Sequence, residues 1–246
     1  MSTMTASAPA FEISDLRGGH RKSAAHRIAL ALVWLTIVAS SIVFTEPAPV
    51  DALTIGLMLL LPVVGLVDAQ PMLWAGFAVL LAITASGEIS AALARDTGIA
   101  VSHMTVSLYL VAACFLFAAF IAKEPEKHTR LVLNAYLLTG IIAALCGVAG
   151  YLNLFPGAFD LFTRYGRASG PFKDPNVFGP FLVAPLLMCL HLWLNAPLRR
   201  GVLPLLAAGL LAVGILFSFS RGAWAAAAIG LAIYGYVYMI TAHSNR

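Results

Sequence analysis

Apolar residues run in eight long, nearly unbroken blocks along this chain, at 28–44, 52–67, 71–86, 105–122, 131–150, 177–195, 202–219 and 223–241. None of the blocks contains Asp, Glu, Lys or Arg. A helix of about 20 apolar residues crosses the hydrocarbon of a bilayer with every backbone hydrogen bond satisfied internally. The blocks therefore predict about eight transmembrane helices, the shorter ones near the lower limit of length. They lack the in–out alternation of a membrane β-barrel. The expected fold class is all-α, a polytopic helical integral membrane protein.

The polar segments between blocks set the organisation. Residues 1–27 form a polar N-terminal segment, expected to be loose, that ends in the basic cluster Arg17, His20, Arg21, Lys22, His26 and Arg27. The 28–44 block is longer than a signal-peptide core and lacks a small-residue cleavage pattern, so it is expected to stay as the first span. Residues 28–241 then make one transmembrane domain, followed by a short tail at 242–246. The gaps at 68–70 and 220–222 require tight hairpins. The 87–104 segment, with Glu88, Arg95 and Asp96, has room for a short interfacial helix.

Charge gives the expected orientation. Ten of the fifteen Lys and Arg fall in segments 1–27, 123–130, 196–201 and 242–246, which eight spans would place on one side. Basic loops favour the cytoplasm, so both termini are expected there. The other side receives Arg95, Arg164, Arg167, Lys173 and Arg221. Three of those five crowd into "RYGRASGPFKDPNVFG", residues 164–179, where the topology rule disfavours them.

Composition sharpens this picture. Of 246 residues, 61% are hydrophobic and 11% charged, too little charge for a soluble domain of this length. The net charge of +4 acts through its distribution across the membrane, and no nucleic-acid partner is expected. Cys114, Cys146 and Cys189 lie inside apolar blocks without metal-ligand or disulfide spacing, so they read as small buried or lipid-facing side chains and no metal is expected. Blocks without Asp, Glu, Lys or Arg also argue against an ion-coupled pump. His103 and His191, near span ends, read as structural.

Two stretches carry candidate chemistry. The 151–176 connection is long, and long connections in compact domains are commonly functional. Its apolar first half, "YLNLFPGAFDLF", is expected at the membrane interface. Its second half reads as the start of a helix, with Asp174 as N-cap and Pro175 at the first position, or Asn176 capping one residue later. Free amides at that start, the cations Arg164, Arg167 and Lys173, and the flexible Gly166 and Gly170 together suit an anion such as phosphate. The second stretch is "SFSRGAW", 218–224. Here Arg221 is a cation with no carboxylate nearby in sequence, Ser220 is expected to cap the last span, and Gly222 to permit the turn. Both stretches also fit a plainer reading, in which capped helices present cations to the phosphates of membrane lipids and Trp224 sits in the aromatic belt.

"RASGPFKDPNVFGPFL", followed by "FSFSRGAW", resembles the O-antigen ligase and O-antigen polymerase superfamily of bacterial envelopes. The resemblance covers roughly residues 130–241. It rests on an arginine–glycine stretch, a Pro-Asn step opening a helix, and a Ser-Arg-Gly at a span end. It implies a glycosyltransferase of the bacterial inner membrane that works in lipopolysaccharide or exopolysaccharide assembly. The donor would be an undecaprenyl-pyrophosphate-linked glycan, the acceptor a lipid or another glycan, with no metal or nucleotide. By the resemblance, Arg167 with Gly170 and Arg221 with Gly222 match the arginines that hold the pyrophosphate. The local chemistry adds Lys173 and Asn176, with Arg164, Asp174, Pro175 and Ser220 in support.

Members of the superfamily have more spans and a large late periplasmic loop carrying further arginines and, in ligases, a histidine. The chain stops at Arg246, so it is expected to be the N-terminal part of such a protein, and no residue in it matches the general base. Two alternatives stay open. One is a non-catalytic, truncated member that binds the lipid-linked glycan or a partner subunit. The other is a polysaccharide or small-molecule transporter.

Overall fold

The computed structural model describes residues 13–45 and 47–244. The first part of the polar N-terminal segment and the end of the tail lie outside the described residues, as do the side chains of Arg17, His20, Arg21, Lys22 and Arg199. In chain order the elements are α1 (Ile13–Ala39), α2 (Pro49–Val64), α3 (Pro71–Ala92), α4 (Thr97–Lys123), α5 (Pro125–Tyr151), α6 (Ala158–Phe162), β1 (Thr163–Arg164), β2 (Arg167–Ala168), α7 (Pro175–Phe181), α8 (Val183–Asn195), α9 (Leu198–Phe217) and α10 (Arg221–Ser244).

Every apolar block of the sequence is helical over most of its length, and the chain is an all-α polytopic membrane protein. Among the described residues, six helices are long and apolar enough to cross a bilayer, with α7 and α8 counted together. Two apolar stretches are shorter, Ala24–Ala39 within α1 and Pro49–Val64. Large apolar side chains such as Val63, Met72 and Leu203 face outward, which suits hydrocarbon and not water.

Two expectations are corrected, and one span is kinked. Helix α1 begins at Ile13, so residues 13–27 are not loose but continue the first apolar block as helix. No separate helix forms within 87–104, because α3 extends to Ala92 and α4 starts at Thr97. There Asp96 is the N-cap and accepts from Ile99 N at 3.2 Å, which ends the connection at four residues. The 177–195 block breaks at Leu182 into α7 and α8. Pro185 has no N–H to offer the Phe181 carbonyl one turn back. The Tyr136 hydroxyl takes that carbonyl instead, at 2.7 Å.

The described chain divides into two compact units, 13–33 with 57–124, and 34–45 and 47–56 with 125–244. In the first, α3 and α4 pair through Trp74, Phe77 and Phe115, with ring centroids 4.6 and 4.7 Å apart for the two contacts of Phe115. Asp68 N donates to Ala119 O at 2.8 Å and anchors the preceding turn to α4.

The second unit is built around α5. Its buried positions Ala135, Thr139, Gly140, Ala143, Ala144, Gly147 and Gly150 recur at helical spacing and form a stripe of small residues. Lipid supplies no hydrophobic drive between helices, so close backbone approach across small residues holds such a bundle together. Pro185 packs on Gly140, and the Phe178 ring on Gly147, where any Cβ would collide with it. Around this contact Leu182, Leu211 and Ile215 complete a buried core. The end of α1 joins the same unit, Thr139 Oγ1 donating to Ile37 O at 3.3 Å.

Candidate functional site

The long connection after α5 is ordered at one end of the second unit. It leaves Tyr151 through a turn with Asn153 at φ 50° and Gly157 at φ 82°, then forms α6 and a two-stranded hairpin. Tyr165 and Gly166 form the hairpin loop with φ of 56° and 70°. Two positive φ values in a two-residue loop define a type I′ turn, which suits Gly166 and strains Tyr165. The hairpin sets Arg164 directly opposite Arg167. Cross-strand Cβ atoms lie about 5 Å apart, so two guanidinium groups begin from neighbouring positions. Val43 N donates to Pro171 O at 2.9 Å and fastens the stretch after the hairpin to the end of α1.

Arg164 is exposed, whereas Arg167 is half-buried and turned into the protein. Its Nε donates to Ser218 O at 2.7 Å and its Nη2 to Asn176 Oδ1 at 2.9 Å. One side chain thus joins three segments: the hairpin, the start of α7 and the turn between α9 and α10. The two stretches singled out in the sequence meet through it. Nη1 is left unengaged among the described residues.

Asp174 is the N-cap of α7, accepting from Asn176 N at 2.7 Å, with Pro175 at the first helical position. Of the two alternatives, capping by Asp174 is the one observed. This corrects the expectation of free amides. Val177 and Phe178 also donate to the Asp174 carbonyl, at 3.0 and 3.1 Å, and the capping carboxylate offsets the positive helix end. Any anion selectivity at this end must come from side-chain cations. Arg164, Lys173 and Arg221 are exposed around the half-buried Arg167.

Gly170 has a packing reason for its identity. It is buried at φ 54°, and a Cβ there would lie 2.9 Å from both Ala143 O and the Phe178 ring. Gly166, by contrast, has open space around its α-carbon.

The α9–α10 turn is three residues, Ser218–Ser220. Ser218 Oγ donates to Ile215 O at 2.6 Å and accepts from Ser220 N at 3.2 Å. Ser220 caps α10, its carbonyl accepting from Trp224 N at 3.0 Å and its Oγ from Ala223 N at 3.4 Å. The tight turn itself falls to Phe219, at φ 47°. That corrects the role expected of Gly222, which lies in the first turn of α10, where a Cβ would make only an ordinary contact with Ser220 Oγ. Arg221 opens α10, is exposed, and makes no hydrogen bond or ion pair among the described residues. Gly179 of α7 packs against this turn so closely that a Cβ would sit 2.5 Å from Ser218 Oγ and 2.7 Å from Ala223 Cβ.

An apolar cavity of about 370 Å³ borders the same loop. It is lined by Val38 of α1, Ile42 and Phe44 after it, Ile142 and Cys146 of α5, and Leu161, Phe162 and Pro171. The cationic loop is therefore flanked by space for a hydrocarbon chain. Among the described residues, no three His, Cys, Asp or Glu side chains gather as a metal would require.

Sequence reasoning missed two groups here. Ser218, within the quoted "SFSRGAW", supplies the carbonyl that receives Arg167 and a hydroxyl that braces the turn. Ser169, 1% exposed, has an Oγ without a hydrogen-bond partner among the described residues. A serine two residues before a helix-capping serine was a local hint of the first. No local signal marks the second. Comparison of the chain with protein families, curated proteins and solved structures finds no match.

Proposed function

We propose that this chain is an O-antigen ligase/polymerase-like membrane protein of the bacterial inner membrane that binds an undecaprenyl-pyrophosphate-linked glycan at the Arg167–Arg221 end of its second unit. The observation that carries the reading is the fork of Arg167 onto Ser218 O and Asn176 Oδ1. It draws together two motifs about fifty residues apart and leaves Arg221, without a partner among the described residues, three residues from Ser218.

The orientation belongs to the same proposal. The apolar part of α1, Ala24–Ala39, reaches about 24 Å. The 16 residues of α2 reach about 24 Å, somewhat short of a typical hydrocarbon core, a mismatch that bilayers absorb by local thinning. With both counted, the chain crosses eight times and both termini are cytoplasmic. The Arg167–Arg221 end then faces the periplasm, where lipid-linked glycans are joined.

The chemistry needs little besides charge and position. Breaking the bond between glycan and pyrophosphate puts negative charge on the departing phosphate. Fixed cations stabilise that charge most in the transition state. Arg221, Arg164 and Lys173 are the exposed cations for it, and Arg167 serves both as scaffold and, through Nη1, as donor. The isoprenoid tail would follow the apolar cavity beside Phe44 and Pro171.

The test is glycan transfer in vesicles containing the 246-residue chain, the lipid-linked donor and an acceptor. Transfer that falls with Arg221→Gln supports the enzymatic reading. Donor retention without transfer supports the non-catalytic reading, a membrane subunit that holds the lipid-linked glycan. A chain that neither retains nor transfers the donor contradicts both.

A further inference from the structure

A groove of the second unit lies at its other end. It encloses about 750 Å³ between the start of α5, the end of α8 and the middle of α10. Its lining changes character along its length. Glu126 and Arg130 stand at the mouth, while Leu133, Leu137, Leu187 and Met188 line the interior. From Arg130 to Leu137 is seven residues of helix, about 10 Å. His191 and Tyr234 close one wall between α8 and α10, with Nδ1 and the hydroxyl 3.0 Å apart.

Helices α5 and α10, and α8 together with α7, are long and apolar enough to span a bilayer. The mouth coincides with the beginning of one span and the end of another, Pro125 and Asn195. It therefore lies at the level of lipid headgroups, and the leucine-lined part points into hydrocarbon. Glu126 and Arg130 are one helical turn apart, the spacing at which acid and base usually pair. Both are exposed, and no ion pair closes between them among the described residues. The mouth thus presents one anionic and one cationic group side by side.

The geometry points to a bound phospholipid with a zwitterionic primary-amine headgroup, of the phosphatidylethanolamine class. Its phosphate meets Arg130, its ammonium meets Glu126, and one acyl chain lies along Leu133, Leu137, Leu187 and Met188. A purely anionic lipid would set its charge against Glu126. A choline headgroup offers Glu126 no N–H donor. The site is separate from the Arg167–Arg221 end and stands or falls independently of the glycan reading.

The test is native mass spectrometry of the delipidated protein, titrated with dioleoyl phosphatidylethanolamine, phosphatidylcholine and phosphatidylglycerol. The ethanolamine lipid is expected to be retained about threefold to fivefold better than the other two, the scale of one partly exposed ion pair. Glu126→Gln should bring it down to the choline lipid, and Arg130→Gln should weaken all three. Arg200→Gln, an exposed cation outside the groove, should change nothing, and a dihexanoyl ethanolamine lipid should be held less well than the dioleoyl one. Equal retention of the three headgroups, equal effects of Arg130→Gln and Arg200→Gln, or indifference to chain length would each overturn the proposal. So would protein dimers that form as the lipid leaves, since the groove would then belong to a second copy.

Discussion

Arg167 donates from Nε to the carbonyl oxygen of Ser218 at 2.7 Å, across 51 residues of sequence. The partner is a backbone group, so no substitution at position 218 other than one that moves the turn can remove it. The interaction is a property of Arg167 alone, and the variants that probe it follow directly.

Hydrogen bonds to charged groups contribute about 1.5–3 kcal/mol each. Arg167→Ala should therefore lower stability by at least about 2 kcal/mol, read as a loss of thermal midpoint in detergent micelles. Arg167→Lys should recover little of it, because a single ammonium cannot reproduce a guanidinium fork that reaches two acceptors. Full recovery by lysine would show that charge and not geometry holds the segments together.

Arg221 makes the opposite case. It is exposed and without a partner among the described residues. Arg221→Gln should leave the thermal midpoint within the range of ordinary surface changes, about 0.5 kcal/mol. Donor binding should fall. A stability loss comparable to that of Arg167→Ala would mean that Arg221 is a structural residue.

Asn176 separates scaffold from anion binding. Its Oδ1 accepts from Arg167 while its backbone N–H is held by Asp174. Asn176→Asp keeps the acceptor and should preserve stability, yet its negative charge should reduce affinity for a pyrophosphate. Asn176→Ala loses the acceptor and should cost about 1–3 kcal/mol. Parallel unfolding and binding measurements distinguish the two.

The break between α7 and α8 offers a double-mutant cycle. Tyr136→Phe leaves the Phe181 carbonyl without its donor and should cost about 1 kcal/mol. In a Pro185→Ala background the new amide at 185 can serve that carbonyl one turn earlier, so the same Tyr136→Phe change should cost clearly less. Equal costs in both backgrounds would show that the hydroxyl does not substitute for the missing proline amide.

Much of this architecture was readable from residues alone, and the reasons differ by element. Each apolar block became helix because lipid leaves the backbone no other way to pair its polar groups. Asp174-Pro175 announced a helix start because both residues satisfy local rules of capping and φ. Where the outcome depended on tertiary neighbours, the sequence was silent. Gly170 is set against Ala143 and Phe178, which only the folded α5–α7 contact reveals. Gly222 looked like the turn former, but Phe219 takes the positive φ, braced by the hydrogen bonds of Ser218 and packed 6.3 Å from the Trp224 ring. The fork of Arg167 was invisible for the same reason: its partners are close only after α7 packs on the α9–α10 turn.

The central claim is that Arg167 and Arg221 serve one pyrophosphate. It is tested most directly by calorimetric titration of undecaprenyl pyrophosphate into the detergent-solubilised chain and its Arg221→Gln, Arg167→Lys and doubly substituted forms. The account predicts that each single substitution weakens binding about tenfold or more, as expected for loss of a charge-assisted hydrogen bond. It also predicts that the double variant falls short of the product of the two losses, because both act on one ligand. Unchanged affinity in Arg221→Gln, with the protein still folded, would contradict it.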